Sequence, residues 1–160
     1  MIRITDQYFW NVVFLLFYIG LVVVAAIILN TEARMQYTDL TLLDLALISL
    51  ASFRMTRLFV YDSMTKFIRE QFYDAKVVRN KVTLVKPETG PRRTLADLVC
   101  CPWCFGVWAT TCVTFFYLLT PLAYFPILVL AIASIATLLQ LFANMIGWKA
   151  EQLKRQTEGE

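Results

Sequence analysis

The chain has 160 residues, 59% hydrophobic and 17% charged, with a net charge of +3 and no histidine. A soluble domain is nearer half apolar and a quarter charged, so the excess points to a bilayer, and the length allows a single unit. The missing histidine removes the commonest general base and metal ligand, the small net charge argues against nucleic-acid binding, and no nucleotide-binding loop is present, so no enzyme class is indicated.

Residues 9–29 form the first expected span. Eighteen consecutive residues, 12–29, carry no charge, and 9–29 as a helix covers roughly 30 Å. Tyr8, Phe9 and Trp10 stand at its start, as aromatic anchors do at a membrane interface. A cleaved signal peptide is the weaker reading, because the apolar stretch is too long and lacks a small-residue cleavage site. Residues 30–39 make a polar connection.

Thr41 and Asp44 have the spacing of a capping box before an apolar run. The second helix is expected at 42–61. Its uncharged core is short, because Arg54, Arg57 and then Asp62 follow. Arginines near a helix end usually snorkel to the headgroups; the sharper reading pairs them with Asp62 or an anion inside the bundle. Beyond Tyr61, the spacing of Met64, Ile68 and Phe72 predicts an amphipathic helix on the membrane surface.

Residues 62–101 are the most polar part. Val77-Val78 and 82–85 flank Arg79-Asn80-Lys81, a pattern for a small β-hairpin. Pro87, Gly90 and Pro91 predict a turn. Thr94 and Asp97 repeat the capping-box spacing, so a short helix is expected at 95–100, ended by Pro102.

Two further spans are expected at 103–119 and 127–148, with a turn between Pro121 and Pro126 and a charged tail frayed at its end. In the fourth span Ala133, Thr137, Gln140, Asn144 and Gly147 share one helix face. In the third, Gly106, Thr110 and Thr114 do so. Both stripes read as helix–helix contacts. Residues 54–93 hold ten Lys/Arg against four Asp/Glu, whereas the connections 30–39 and 120–126 hold one basic residue, Arg34. The positive-inside rule then places 62–101 and both termini in the cytoplasm.

Cys101 and Cys104 have the spacing of a redox dithiol or half a zinc site, with Cys101 at a helix N-cap before Pro102. Cys100, Cys101 and Cys104 give three zinc ligands at most, and Asp97 or a second chain has to supply another. The favoured reading is a structural helix entry without a cofactor.

Two stretches carry a resemblance: Ala51-Ser52-Phe53-Arg54-Met55-Thr56-Arg57-Leu58 with Tyr61-Asp62, and Cys101-Pro102-Trp103-Cys104-Phe105-Gly106-Val107-Trp108. In their order and spacing they resemble a family of small bacterial and bacteriophage membrane proteins catalogued as a domain of unknown function, some of them labelled sporulation membrane proteins. The similarity covers roughly 45–148. It implies class and topology and brings no activity.

The expected fold is an all-α membrane protein with four transmembrane helices. A cytoplasmic amphipathic helix and a small β-hairpin lie between helices 2 and 3. The expected location is the bacterial cytoplasmic membrane. The expected role is a non-catalytic scaffold or interaction protein, with a holin-like permeabilising oligomer and a thiol redox or metal-binding protein as alternatives. Expected partners are the bilayer, anionic headgroups and another membrane protein or second copy. The candidate site is a cluster in which Arg54 and Arg57 are held by Asp62 or Asp97 and by Gln140 and Asn144.

Overall fold

The computed structural model describes residues 2–33, 37–78 and 81–158. Helix α1 (Ile2–Glu32) extends the first expected span at both ends. Helix α2 (Leu42–Val60) starts where the capping box places it. The Thr41 hydroxyl accepts from the Asp44 N–H at 3.3 Å, and an Asp44 carboxylate oxygen accepts from the Thr41 N–H at 2.9 Å.

The end of α2 departs from expectation. Thr65 folds back and donates its hydroxyl to the Leu58 carbonyl at 2.6 Å, while the Arg69 guanidinium donates to the Phe59 carbonyl at 2.7 Å and to that of Asp62 at 3.2 Å. Side chains thus satisfy the orphan carbonyls of the helix terminus, and the chain turns there. The amphipathic helix predicted to run on past Tyr61 shrinks to a 3-10 turn (Ser63–Thr65) and the five-residue α3 (Lys66–Glu70).

Strands β1 (Asp74–Val78) and β2 (Lys81–Val85) pair antiparallel, Asp74 opposite Val85 and Val78 opposite Lys81. Arg79 and Asn80 of the predicted hairpin turn lie outside the described residues, as does Arg34.

Helix α4 (Pro91–Cys100) begins a turn earlier than predicted. Gly90 adopts φ 99°, open to glycine at no steric cost, and Pro91 supplies a preset first helical residue. The Thr94–Asp97 capping box therefore does not form. Thr94 sits inside the helix, buried, with its hydroxyl accepting from Gln7 Nε2 of α1 at 2.9 Å.

Pro102 ends α4 as expected and opens α5 (Pro102–Leu119), with Cys101 as N-cap. After a 3-10 turn (Pro121–Ala123), α6 (Tyr124–Glu158) takes Pro126 in its first turn, where a proline costs no hydrogen bond. The charged tail is helical through Glu158, with Arg155 and Glu151 paired one turn apart, and its expected frayed end, 159–160, lies outside the described residues.

The core lies where α2, α5 and α6 meet: Ile48 and Ala51; Val113, Tyr117 and Leu118; Ile127 and Ala131. Ala51, Ala131 and Ser134 are fully or almost fully buried, and small residues at these points let the backbones approach closely. The predicted α6 contact face is displaced. Ile127, Ala131 and Ser134 are buried and the predicted Ala133 and Thr137 are half-buried beside them, whereas Gln140, Asn144 and Gly147 lie in the stretch 138–157, which is exposed throughout. Over 127–139 every face of this helix is apolar or small, so its own pattern does not select the inward one. Helix α1 packs more loosely, touching α4 and α5, and most of its large apolar side chains are exposed.

Three described helices are long and apolar enough to cross a membrane: Gln7–Glu32, Pro102–Leu119 and Pro121–Thr157. Helix α2, expected as a fourth, does not meet that description, because Asp44, Arg54 and Arg57 fall within its 19 residues.

Candidate functional site

The contacts align the start of α1 and of α5 with the end of α2. Gln7 meets Thr94 just ahead of α5, Tyr18 meets Thr111, and the Phe59 ring lies 5.2 Å from Phe105. Asp44, at the start of α2, accepts the Tyr117 hydroxyl near the end of α5. Helices α2 and α5 are thus antiparallel, and the polar segment 62–101 caps one end of the bundle.

At that end the predicted arginine cluster separates into independent parts. Arg54 pairs with Asp62 at 3.5 Å. Asp97 is taken by Lys86 at 2.9 Å and Arg93 at 3.7 Å. The hydrogen bond from Lys86 to Asp97 is the main reason its ammonium pKa is raised. Gln140 donates to Asn144 at 3.1 Å along the exposed face of α6, and both lie apart from the arginines. At that level α6 packs on nothing among the described residues, since 138–157 are exposed throughout. Arg57 has no carboxylate partner among the described residues. Its guanidinium lies 5.9 Å from the Phe53 ring centroid and 5.5 Å from that of Tyr61, within cation–π range.

Arg57 also borders a groove of about 1020 Å³ between α1, α2 and α5. The predicted stripe Gly106, Thr110 and Thr114 lines one wall, facing Ser49, Ser52 and Thr56 of α2. At Gly106 the two helices come close: a Cβ there would lie 3.7 Å from the Thr56 hydroxyl oxygen. Higher up, the stripe lines open space and does not seal a contact.

The cysteine segment lies beside a second hollow of about 620 Å³, bordered by Lys86, Asp97, Cys100, Cys101 and Cys104. Cys101 Sγ accepts from the Cys104 N–H at 3.4 Å, as an N-cap does. Hydrogen bonding from the Cys104 side chain, and then from its N–H, holds the Cys101 thiol below its ordinary pKa. Cys100 is instead engaged by the Tyr73 hydroxyl at 3.0 Å, which pushes the tyrosine pKa up. Among the described residues no three of Cys, Asp and Glu converge as a metal-ligand set. Sequence reasoning missed Tyr73, Lys86 and the Gln7–Asn11–Thr94 contacts, because partners this far apart in sequence leave no local pattern.

No solved structure matches the chain. It is 32% identical over 102 residues to UPF0713 protein YngL of Bacillus subtilis, covering 63% of this chain and 78% of that one. It is 33% identical over 104 residues to Sporulation protein YjcA of the same organism, covering 61% of this chain and 88% of that one. A family described as protein of unknown function (DUF1360) matches residues 47–143, from mid-α2 to mid-α6 and including both the arginine corner and the cysteine segment, and the chain belongs to it.

Proposed function

We propose that the chain is a non-catalytic, multi-pass scaffold or interaction protein of the bacterial cytoplasmic membrane, assembling through α6. The observation that carries this reading is the stripe Thr137, Gln140, Asn144 and Gly147. It lies in an apolar helix suited to crossing a membrane, where Thr137 is half-buried and Gln140, Asn144 and Gly147 belong to the stretch 138–157 that no other part of the described chain covers. Gln140 and Asn144 bond each other, but one bond leaves each amide further donor and acceptor capacity, and such residues in lipid draw helices together. A second copy or another membrane protein supplies the partner. The name of the relative called a sporulation protein gives a setting, spore formation, in which such an assembly would act.

In this reading α2 is a fourth span, its charges sheltered by α5 and α6. The basic segment 62–101 and both termini face the cytoplasm, as the excess of Lys/Arg favours. Disulfide trapping through Thr137→Cys in membranes tests the assembly. A defined cross-linked species is expected, weakened about fivefold by Gln140→Leu with Asn144→Leu, since such a contact contributes on the order of 1 kcal/mol. Absence of any cross-linked species would refute it. A reporter fused after Glu88 that reads as external would overturn the orientation.

A dithiol centre is the second reading, favoured by Cys101 at the N-cap beside Cys104. It requires a reactive thiolate. The folded pKa is lowered, so alkylation of Cys101 is expected to rise at lower pH in the folded chain than in the denatured one. Coincident pH profiles would count against this reading.

A further inference from the structure

The groove between α1, α2 and α5 is apolar along its length, despite the hydroxyls in its walls. Ser49 donates to the Leu45 carbonyl at 2.7 Å, Ser52 to that of Ile48 at 2.7 Å, and Thr56 to that of Ser52 at 2.8 Å. Thr111 donates to the Val107 carbonyl at 3.0 Å and bonds the Tyr18 hydroxyl at 2.7 Å. The protons of these hydroxyls are spent on the protein's own groups, and with Thr110 and Thr114 adding further hydroxyls the walls offer mostly methyl, methylene and ring surface. From α1 they add Val22, Ala25 and Ala26.

One charge borders this space, the Arg57 guanidinium at the groove's Trp103 and Tyr61 end. Two aromatic rings approach it and no carboxylate among the described residues does, whereas Arg54, one turn away, has Asp62. Guanidinium donors beside an apolar slot call for a ligand that is anionic at one end and hydrocarbon along the rest. The depth of the charge separates the candidates. A helix laid in the groove would have to bring a carboxylate to Arg57, whereas a phospholipid carries its anion at headgroup depth and its hydrocarbon as a thin, flexible cylinder. Trp103 and Tyr61 are exposed beside Arg57, as residues at headgroup depth are.

We propose that this groove seats one acyl chain of an anionic phospholipid, with its phosphate on Arg57. Helix α1 then packs on the bundle partly through the lipid, which accounts for its few direct contacts.

Native mass spectrometry of the full chain in mild detergent, titrated with phosphatidylglycerol or phosphatidylcholine, tests this. One retained phosphatidylglycerol is expected, bound about fivefold more tightly than phosphatidylcholine, as one arginine at a headgroup provides. Arg57→Gln should remove the preference and Arg57→Lys should restore part of it, which also shows that the position tolerates change without unfolding. Ala26→Trp, filling the groove from α1, should cut retention of both lipids. Equal retention by Ala26→Trp and the unaltered chain would overturn the seat. An undiminished preference in Arg57→Gln would overturn the headgroup assignment. A dimer trapped by disulfide through Thr110→Cys would replace the lipid with a second copy.

Discussion

Asp44 closes the capping box of α2 with one carboxylate oxygen and accepts the Tyr117 hydroxyl with the other. It joins a local signal, legible from Thr41 three residues back, to a contact 73 residues away that nothing in the sequence marks. The two partners separate these roles. Thr41→Ala removes a cap and should cost about 1 kcal/mol. Asp44→Ala keeps the Thr41 hydroxyl on the residue-44 N–H but removes the reciprocal carboxylate half of the box and the bond from Tyr117, so it should destabilise more. Thermal unfolding in detergent measures both, and the reverse order would show that Tyr117 contributes nothing through Asp44. The two neighbouring arginines make the same point. Arg54 and Arg57 are equivalent by spacing, yet one finds a carboxylate and the other two aromatic rings and a groove. Composition carries no trace of that difference, because it depends on where the chain turns after Tyr61.

Helix starts and stops were the readable part of the elements. The capping box at Thr41 and the break at Pro102 are local steric and hydrogen-bonding facts, and both stand in the structure. The Thr94 capping box failed although its spacing is the same, because Gly90-Pro91 starts the helix first and Thr94 is drawn to Gln7. The amphipathic helix after Tyr61 failed because Thr65 and Arg69 use their side chains on the carbonyls of α2. The packing of α2 against α6 turns on residues without room to grow. Ala51, at 0% exposure, faces this seam. Ala51→Leu should cost about 1–3 kcal/mol through overpacking. Urea or thermal unfolding in micelles reads this out, and an unchanged midpoint would mean that the helices separate easily there.

At the scale of the molecule, α2, α5 and α6 form the packed unit, and α1 leans on it through Gln7, Tyr18 and Trp108. The family match begins at residue 47 and leaves α1 outside. A chain lacking residues 1–33 should therefore still insert and resist protease over α2–α6, with a lower melting temperature. Complete loss of protection would make α1 part of the core. By itself the sequence determined the membrane class, three helices able to span, the basic character of 62–101, the cap at Thr41 and the break at Pro102. Each of these follows from composition or from groups within a turn of one another. Only the tertiary structure decided which residues of α6 are buried, that the small-residue stripe of α5 lines a groove, and which arginine pairs with a carboxylate and which lies against aromatic rings. In water a helix marks its buried face by apolarity. In a bilayer the outward face is apolar too, so packing faces are chosen by shape and by partners distant in sequence.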